Sequence, residues 1–421
     1  MAYSGVTGTK AIGDFLTNRL KYDLDDAQVF EPSKDETQWL SFLLKLGVKP
    51  TKSMAFKAFS NEPQWITQRF YANGTGSWSS NAIANLAVTL TSGSSADVGY
   101  LVAGMMLRVR HQSTTTDTVM VITNVDSQQQ VDVRSIGSNE TNIASGDGIQ
   151  VIGHAMGETS SSGTAAASKL AILEYFCQDF EDTWAMSDVA QGEDVFGPNE
   201  WNRLAAETVR IHKVKINRAM LLGQGASTSI TLAGIDSGAQ TVRTTEGAIT
   251  FCEDNSSTLM DSQGVQFPSY SAYSYDEFVD DMSRLFAHQP KGKIAIAGAG
   301  PLAHFQKLNS GAFLAAAQVQ VNPDATFFGI KVTQLHTTFG DLTLIWDKTL
   351  AGDGFYRDYM AAIDMDYVKY RPFSNSGVSL NTHLLTNIQN NNQYRIRKYG
   401  YRTVAGLEIA TPVNHGLWKF S

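Results

Sequence analysis

The stretch Pro198–Gly225, PNEWNRLAAETVRIHKVKINRAMLLGQG, constrains this chain most. Trp201, Leu204, Ala205, Val209, His212, Ile216, Ala219 and Met220 recur at three- and four-residue steps, so one face of a helix is apolar. Gly197 and Pro198 mark its start, Gly223 and Gly225 its end. The spacing predicts a helix over about 199–222, a rod of roughly 36 Å at the rise of an α-helix. Its other face carries Arg203, Arg210, Lys213, Lys215 and Arg218. The preceding segment is acidic, with Glu174, Asp179, Glu181, Asp182, Asp188, Glu193 and Asp194 and no Lys or Arg after Lys169. Charge pairing between the acidic segment and the rod is expected, within or between subunits.

Around this helix the chain changes character several times. Residues 1–60 read as an arm. Gly5, Gly8 and Gly13 interrupt its start; a capping box, Ser33-Lys-Asp-Glu36, then precedes a short apolar helix with Trp39, Leu40, Leu43, Leu44 and Leu46. That helix needs a docking partner, in its own domain or on a neighbour. Residues 61–86 are polar, with Gly, Ser and aromatics. From Ala87 to Met156 the period becomes two, with strands expected at Ala87–Thr91, Met105–His111, Thr118–Val125, Gln130–Ile136 and Ile149–Gly153. Short strands separated by turn clusters predict a small β-barrel or curled sheet. Its flanks, Gly74–Ser80 and Thr159–Ala167, read as stems of a two-way excursion. Residues 226–271 show no strong periodicity. Thereafter helices and strands alternate: a capping box at Ser274–Glu277, a strand at Lys293–Ala297, a helix at Leu302–Leu308, and strands at Ile330–Thr337, Leu342–Asp347, Tyr356–Met360 and Met365–Tyr370. Tyr394–Ala410 and Gly416–Trp418 read as closing strands. The whole is α+β.

Chemical motifs are sparse. Ala297-Gly-Ala-Gly-Pro-Leu-Ala303 has the spacing of a dinucleotide fingerprint after a strand, but no acidic residue ends a second strand about 20 residues on. A tight turn with Pro opening a helix accounts for it. The histidines, His111, His154, His212, His288, His304, His336, His383 and His415, share no metal-ligand spacing. No P-loop, G-x-S-x-G or H-E-x-x-H occurs, so no catalytic, cofactor-binding or metal residue is assigned. Tyr394–Arg402 mixes bases with aromatics as nucleic-acid binders do. A net charge of −8 argues instead for an ordinary strand there. Only 18% of residues are charged, which suits burial against other subunits. Two cysteines, Cys177 and Cys252, fit a reducing compartment, and no stretch reads as a signal peptide or a membrane span.

The order of elements resembles the major capsid proteins of tailed bacteriophages, the Hong Kong phage-type capsid fold shared with encapsulins, in a group with a β insertion in the E-loop. The resemblance is carried by Trp39-Leu-Ser-Phe-Leu-Leu-Lys-Leu-Gly47, Val102-Ala-Gly-Met-Met-Leu-Arg-Val109 with Gly146-Asp-Gly-Ile-Gln-Val-Ile152, Lys215-Ile-Asn-Arg-Ala-Met-Leu-Leu-Gly223, and Phe328-Gly-Ile-Lys-Val332. It implies an N-arm over 1–60, an E-loop over 61–168 with its β unit at about 87–156, and a P-domain over 169–272 with the spine helix. An A-domain over 273–385 and closing P-domain strands over 386–421 complete it. It also implies a non-enzymatic shell subunit of the virion, assembled in the host bacterial cytoplasm as hexamers and pentamers. Its implied partners are its own copies, a portal, scaffold or cement proteins, and packaged double-stranded DNA contacted without sequence preference. The alternatives are a tail or decoration protein, or a cytoplasmic nucleotide-binding enzyme using the Gly298 turn. Four expectations accompany the resemblance, the first being that 87–156 is a dispensable unit with its own small core (Val109, Val119, Val121, Val133, Val151) that is soluble and β-rich when expressed alone. Removing residues 1–50 leaves a folded subunit that no longer closes shells. The mature chain keeps its N-terminus apart from the initiator Met. No isopeptide bond joins neighbouring subunits, because 58–168 contains no lysine and arginine is no substitute nucleophile.

Overall fold

The computed structural model describes residues 37–61, 70–89, 101–127, 130–137, 140–158, 170–193, 199–232, 238–255, 265–266, 269–287, 289–308, 321–322, 326–327, 330–331, 333–350, 356–389 and 395–420. The Ser33–Glu36 capping box, His288 and most of Phe328–Val332 lie outside them. In chain order, α1 (Gln38–Leu46) leads to β1 (Ala55–Asn61), then β2 (Phe70–Ala72), β3 (Ala82–Thr89), β4 (Met105–Arg110), β5 (Thr118–Ser127), β6 (Gln130–Ser135) and β7 (Gly148–His154). Next come β8 (Leu170–Phe176), β9 (Gln178–Ser187), α2 (Asp188–Gly192) and α3 (Glu200–Leu222). Then follow β10 (Ala226–Ile230), β11 (Gln240–Thr244), α4 (Ala248–Asn255), β12 (Val265–Gln266), α5 (Tyr275–Leu285), β13 (Lys293–Ala297) and α6 (Ala299–Leu308). Most of the rest is strand: β14 (Val321–Asn322), β15 (Thr326–Phe327), β16 (Ile330–Lys331), β17 (Thr333–His336), β18 (Asp341–Trp346), β19 (Tyr359–Ile363) and β20 (Val368–Pro372). Last come β21 (Ser374–Asn375), β22 (Val378–Ser379), β23 (His383–Leu385), β24 (Ile396–Ile409) and β25 (Gly416–Lys419).

The expected rod is α3. Asn199 caps it, its side-chain oxygen accepting from the backbone N–H groups of Trp201 and Asn202. Its C-terminal half is buried through His212, Val214, Ile216, Asn217, Met220 and Leu221. The buried face therefore lies further along the rod than the pattern beginning at Trp201 suggested. The rod lies against β9 and β24, which pair antiparallel from Ala405↔Gln178 to Ile396↔Ser187. β20 and β23 complete that sheet. A second, seven-stranded sheet has the order β12-β25-β19-β13-β18-β17-β14. The two closing strands thus part company: β24 joins the sheet beside the rod, β25 the other sheet. Residues 226–255 carry more structure than their composition suggested, a β10–β11 hairpin and α4, whose Ile249, Phe251 and Cys252 are buried.

The short helix α1 docks on its own subunit. Trp39, Leu40 and Leu43 enter the same core as Tyr175, Met220, Phe251, Ile363 and Leu407. Thr37, at its N-cap, makes no side-chain cap. The orphan donors of the first turn are met instead by distant side chains: Trp39 N–H donates to Asp347 Oδ2 at 3.2 Å and Leu40 N–H to Asn217 Oδ1 at 2.8 Å. Burial raises the Asp347 pKa, against the pull of hydrogen bonds from Thr349, Trp39 and Asn217. The described part of the arm is therefore built into the body, and the expectation that removing 1–50 spares the subunit fold is revised below.

The β unit is a closed barrel of order β2-β3-β6-β5-β4-β7. It is borne on an antiparallel ribbon of β1 and β8, running from Ala55↔Phe176 to Asn61↔Leu170. It begins at Phe70, not near Ala87. The expected strand at Ala87–Thr91 overlaps the end of β3; the start of β3 escaped notice because the alternation breaks, the β3–β6 register shifting between Ile83 and Leu86 with Asn85 at φ 55°, and β2 is only three residues long. Gly74–Ser80, expected as a stem, belongs to the barrel, and Gly76 bridges Ile143. The barrel has its own apolar core, including Phe70, Leu86, Leu107, Ile122, Val133 and Ile149, separate from the cores of the body. A fragment spanning 70–156 is expected to be soluble and β-rich, with a cooperative thermal transition by circular dichroism. One starting at Ala87 lacks β2 and most of β3 and is expected to remain unfolded. Equal folding of both fragments would refute the closed-barrel boundaries.

Candidate functional site

Two side-chain relays have the order of a hydrolytic triad. In the barrel, His111 Nδ1 lies 2.8 Å from Asp147 Oδ2 and His111 Nε2 2.8 Å from Thr118 Oγ1. Burial raises the Asp147 pKa, but backbone N–H groups of Ala144 and Gln112, with His111, hold it below the usual value. With Asp147 ionised, Nδ1–H donates to it and Nε2 accepts from the Thr118 hydroxyl. On the rod, His212 Nδ1 lies 2.8 Å from Asp182 Oδ2, and Nε2 2.8 Å from Thr403 Oγ1, which meets Thr382 Oγ1 at 2.8 Å. Lys215 also pairs with Asp182. A nucleophile must meet its substrate, and here Thr118 and Thr403 are both 0% exposed. These relays are structural locks: one closes the barrel, the other fastens the rod to β9 and β24. No local spacing announced them, since Thr118 and Asp147 stand 7 and 36 residues from His111.

The glycine turn is equally absorbed. Gly298 N–H donates to Tyr359 O at 2.9 Å and Gly300 N–H to Arg357 O at 3.2 Å, so these amides are spent on backbone rather than turned toward a phosphate. A Cβ at Gly298 would lie 2.1 Å from Arg357 O, and one at Gly300 2.1 Å from Tyr270 Oη. Close packing is the physical reason for both glycines. Of the other histidines, His415 is buried, its Nδ1 accepting from Asp364 N–H and its Nε2 donating to Ala410 O; burial lowers its pKa to about 4. His304 meets Tyr273 O, His336 meets Asp341 and His383 meets Asn381 O. Glu246, before α4, is raised to about 7 by burial and by Asp254. Among the described residues no group of three or more His, Cys, Asp or Glu is placed to hold a metal ion. No described helix is long and apolar enough to cross a membrane.

The acidic segment pairs mainly with strands rather than with the rod. Asp179 meets Arg402, Asp188 meets Arg397 and Glu174 meets Lys57, whereas Asp182–Lys215 joins segment to rod. Arg203 is held inside its own helix by Glu200 and Glu207. Tyr399 and Tyr401 of the basic–aromatic stretch pack on Trp184, and Tyr399 also meets Trp201 edge-on. From Ile396 that stretch is strand β24, and its Arg397, Arg402, Tyr399 and Tyr401 are engaged within the subunit. Exposed apolar surface gathers elsewhere. Phe59 and Ile172, directly opposed on the β1–β8 ribbon, are 68% and 59% exposed. Leu44, Leu46 and Val48, on and just after α1, are also exposed.

The triad-like and cradle-like groups are turned inward, and apolar side chains are exposed on the β1–β8 ribbon. A family model described as SU10 major capsid protein matches residues 10–419, and the chain belongs to that family. It is a phage major capsid protein, a structural component of the virion. No curated protein sequence matches it. Among solved structures it is similar to the capsid of a native GTA particle computed with C5 symmetry, at 9% identity and TM-score 0.48, covering 98% of this chain and 99% of that one. It is similar to a Microbacterium phage Oxtober96 structure at 9% identity and TM-score 0.44, covering 98% and 99%. It is also similar to the SrpI encapsulin complex from Synechococcus elongatus PCC 7942 at 10% identity and TM-score 0.40, covering 60% and 77%.

Proposed function

We propose that copies of this chain form hexamers and pentamers of an icosahedral head enclosing packaged double-stranded DNA. The β12–β25 sheet with α5 and α6 acts as the axial A-domain. α3 is the spine of the P-domain, and the β1–β8 ribbon and its barrel are the E-loop lying over a neighbour. The observation that carries this reading is the ribbon: Phe59 and Ile172 sit opposite one another, largely exposed, at its far part. Such a pair loses about 1.5–3 kcal/mol per side chain by remaining in water, so a neighbouring copy is its natural cover. A portal, scaffold or cement proteins complete the particle, and DNA is contacted through phosphates without sequence reading. Assembly takes place in the host cytoplasm. Neighbours are held by buried area and strand pairing, since exposed ion pairs contribute only about 0.2–1 kcal/mol each.

Purified protein is expected to form capsomers or shells under negative-stain microscopy, and Phe59→Asp with Ile172→Asp should shift it to folded monomer in sedimentation. Boiled particles should run as a single band near 45.9 kDa on a denaturing gel. Wild-type protein that stays monomeric at high concentration contradicts the assembly reading; a ladder resistant to boiling and reductant contradicts the non-covalent interfaces.

A further inference from the structure

At one end of the seven-stranded sheet, the register of three neighbouring strands brings a lysine, an acid and an asparagine into one row. Ile294 pairs with Ile363 and Ala362 with Gly416. One step further along the ladder stand Lys293 on β13, Asp364 just after β19 and Asn414 just before β25, with the acid in the middle. All three are buried, at 1%, 2% and 3% exposure. Lys293 Nζ donates to the backbone carbonyl oxygen of Asn414 at 2.5 Å, and lies 5.6 Å from the centre of the Phe286 ring.

The row is under-satisfied. A lysine has three donors, and among the described residues no carboxylate lies within salt-bridge distance of Nζ. Asp364 Oδ2 and Asn414 Oδ1 are both buried without a hydrogen-bond partner. The register sets these two residues next to one another in the row, and a carboxyl oxygen and an amide oxygen are complementary when the acid carries a proton. Burial acts in that direction, raising the Asp364 pKa and lowering that of Lys293 to about 8. Asn414 Nδ2 is held by Gln289 Oε1 at 3.1 Å.

We propose that Lys293 and Asn414 form an intrachain isopeptide bond, with Asp364 as the catalytic acid. The neutral amine Nζ attacks Asn414 Cγ while protonated Asp364 donates to Oδ1, and the new C–N bond forms. Asp364 then takes a proton from the attacking nitrogen and passes one to Nδ2. The Cγ–Nδ2 bond breaks and ammonia leaves as the Oδ1 proton returns to Asp364, so the amide carbonyl re-forms and the acid ends protonated as it began. Lys293 and Asn414 are joined as a secondary amide, with no oxidant or cofactor consumed. The bond staples β13 to the turn before β25 across β19, inside one subunit, so it leaves the mobility of the boiled monomer band near 45.9 kDa.

The test is intact mass spectrometry of purified full-length particles, with a peptide map. The expected mass is lower than that of the sequence by one ammonia, and the map contains a branched peptide joining the segments that hold Lys293 and Asn414. Asp364→Asn is expected to restore the sequence mass, as is Lys293→Arg. A wild-type mass equal to that of the sequence overturns the proposal even if the variants fail to fold. So does ammonia loss mapping to a succinimide at Asn414. Retention of the bond in Asp364→Asn overturns the role of the acid.

Discussion

Removal of residues 1–50 is expected to abolish folding of the subunit, not merely its assembly. Trp39, Phe42 and Leu43 are each 1% exposed and Leu40 6%. Truncating buried Trp or Phe costs about 3–5 kcal/mol and buried Leu about 2–5, so the four together exceed about 10 kcal/mol. Whole-domain stabilities are about 5–15 kcal/mol. The deletion also takes the Leu40 donor from Asn217 Oδ1 and one of two donors from Asp347 Oδ2, which keeps Asn217 Nδ2 at 3.4 Å. Unmet buried acceptors cost about 1–3 kcal/mol each. It further removes the bridge from Val48 to Tyr370. The expected result is insoluble protein, or soluble protein without a cooperative melt by circular dichroism. Trp39→Ala alone should cost about 3–5 kcal/mol. A soluble, cooperatively melting truncation would show that α1 is dispensable and restore the loose-arm reading.

Gly298→Ala is expected to be the most damaging single methyl addition in the glycine turn. The added carbon would meet Arg357 O at 2.1 Å, Arg357 C at 2.7 Å and Leu350 O at 2.9 Å, all backbone atoms. No side chain there can swing aside. Relief requires the chain at the end of β13 to move away from the backbone of Leu350 and Arg357, breaking the bond from Gly298 N–H to Tyr359 O. Overpacking of this kind costs about 1–3 kcal/mol when side chains yield, and more when backbone must move. A loss above about 3 kcal/mol in denaturant midpoint analysis is expected. Gly377→Ala is the control: its φ is +83° and nothing lies within 4 Å of the added carbon. It should cost only about 1–2 kcal/mol, the strain of a left-handed alanine. If Gly298→Ala is as mild as the control, close packing is not why glycine stands there.

Local pattern alone determined the rod and the second capping box. Apolar steps of three and four gave α3 within a residue of either end, and Ser274 Oγ does accept from Glu277 N–H. Both are short-range effects, complete within a turn or two of chain. The lysine-free stretch 58–168 is likewise a property of sequence and needs no fold. The barrel was legible from Met105 to His154 and at the end of β3, where Ala87–Thr91 was expected, and illegible at β2, three residues long, and at the start of β3, where the register shifts. Partnership between distant segments belonged to the tertiary structure. Periodicity shows that α1 has an apolar face; only the fold shows that Asp347, 308 residues from Trp39, caps it. Acid and base runs suggested a charged rod against a charged arm, yet Asp179 on β9 and Asp188 at the start of α2 meet Arg402 and Arg397 of β24, whereas Asp182 turns to the rod. The same holds for His111, His212 and the row of Lys293, Asp364 and Asn414. Each is a common residue type with no local signature; packing of the rod on the sheet brings His212 to Asp182 and Thr403, and strand register, which sets side chains about 5 Å apart across a ladder, brings the others together.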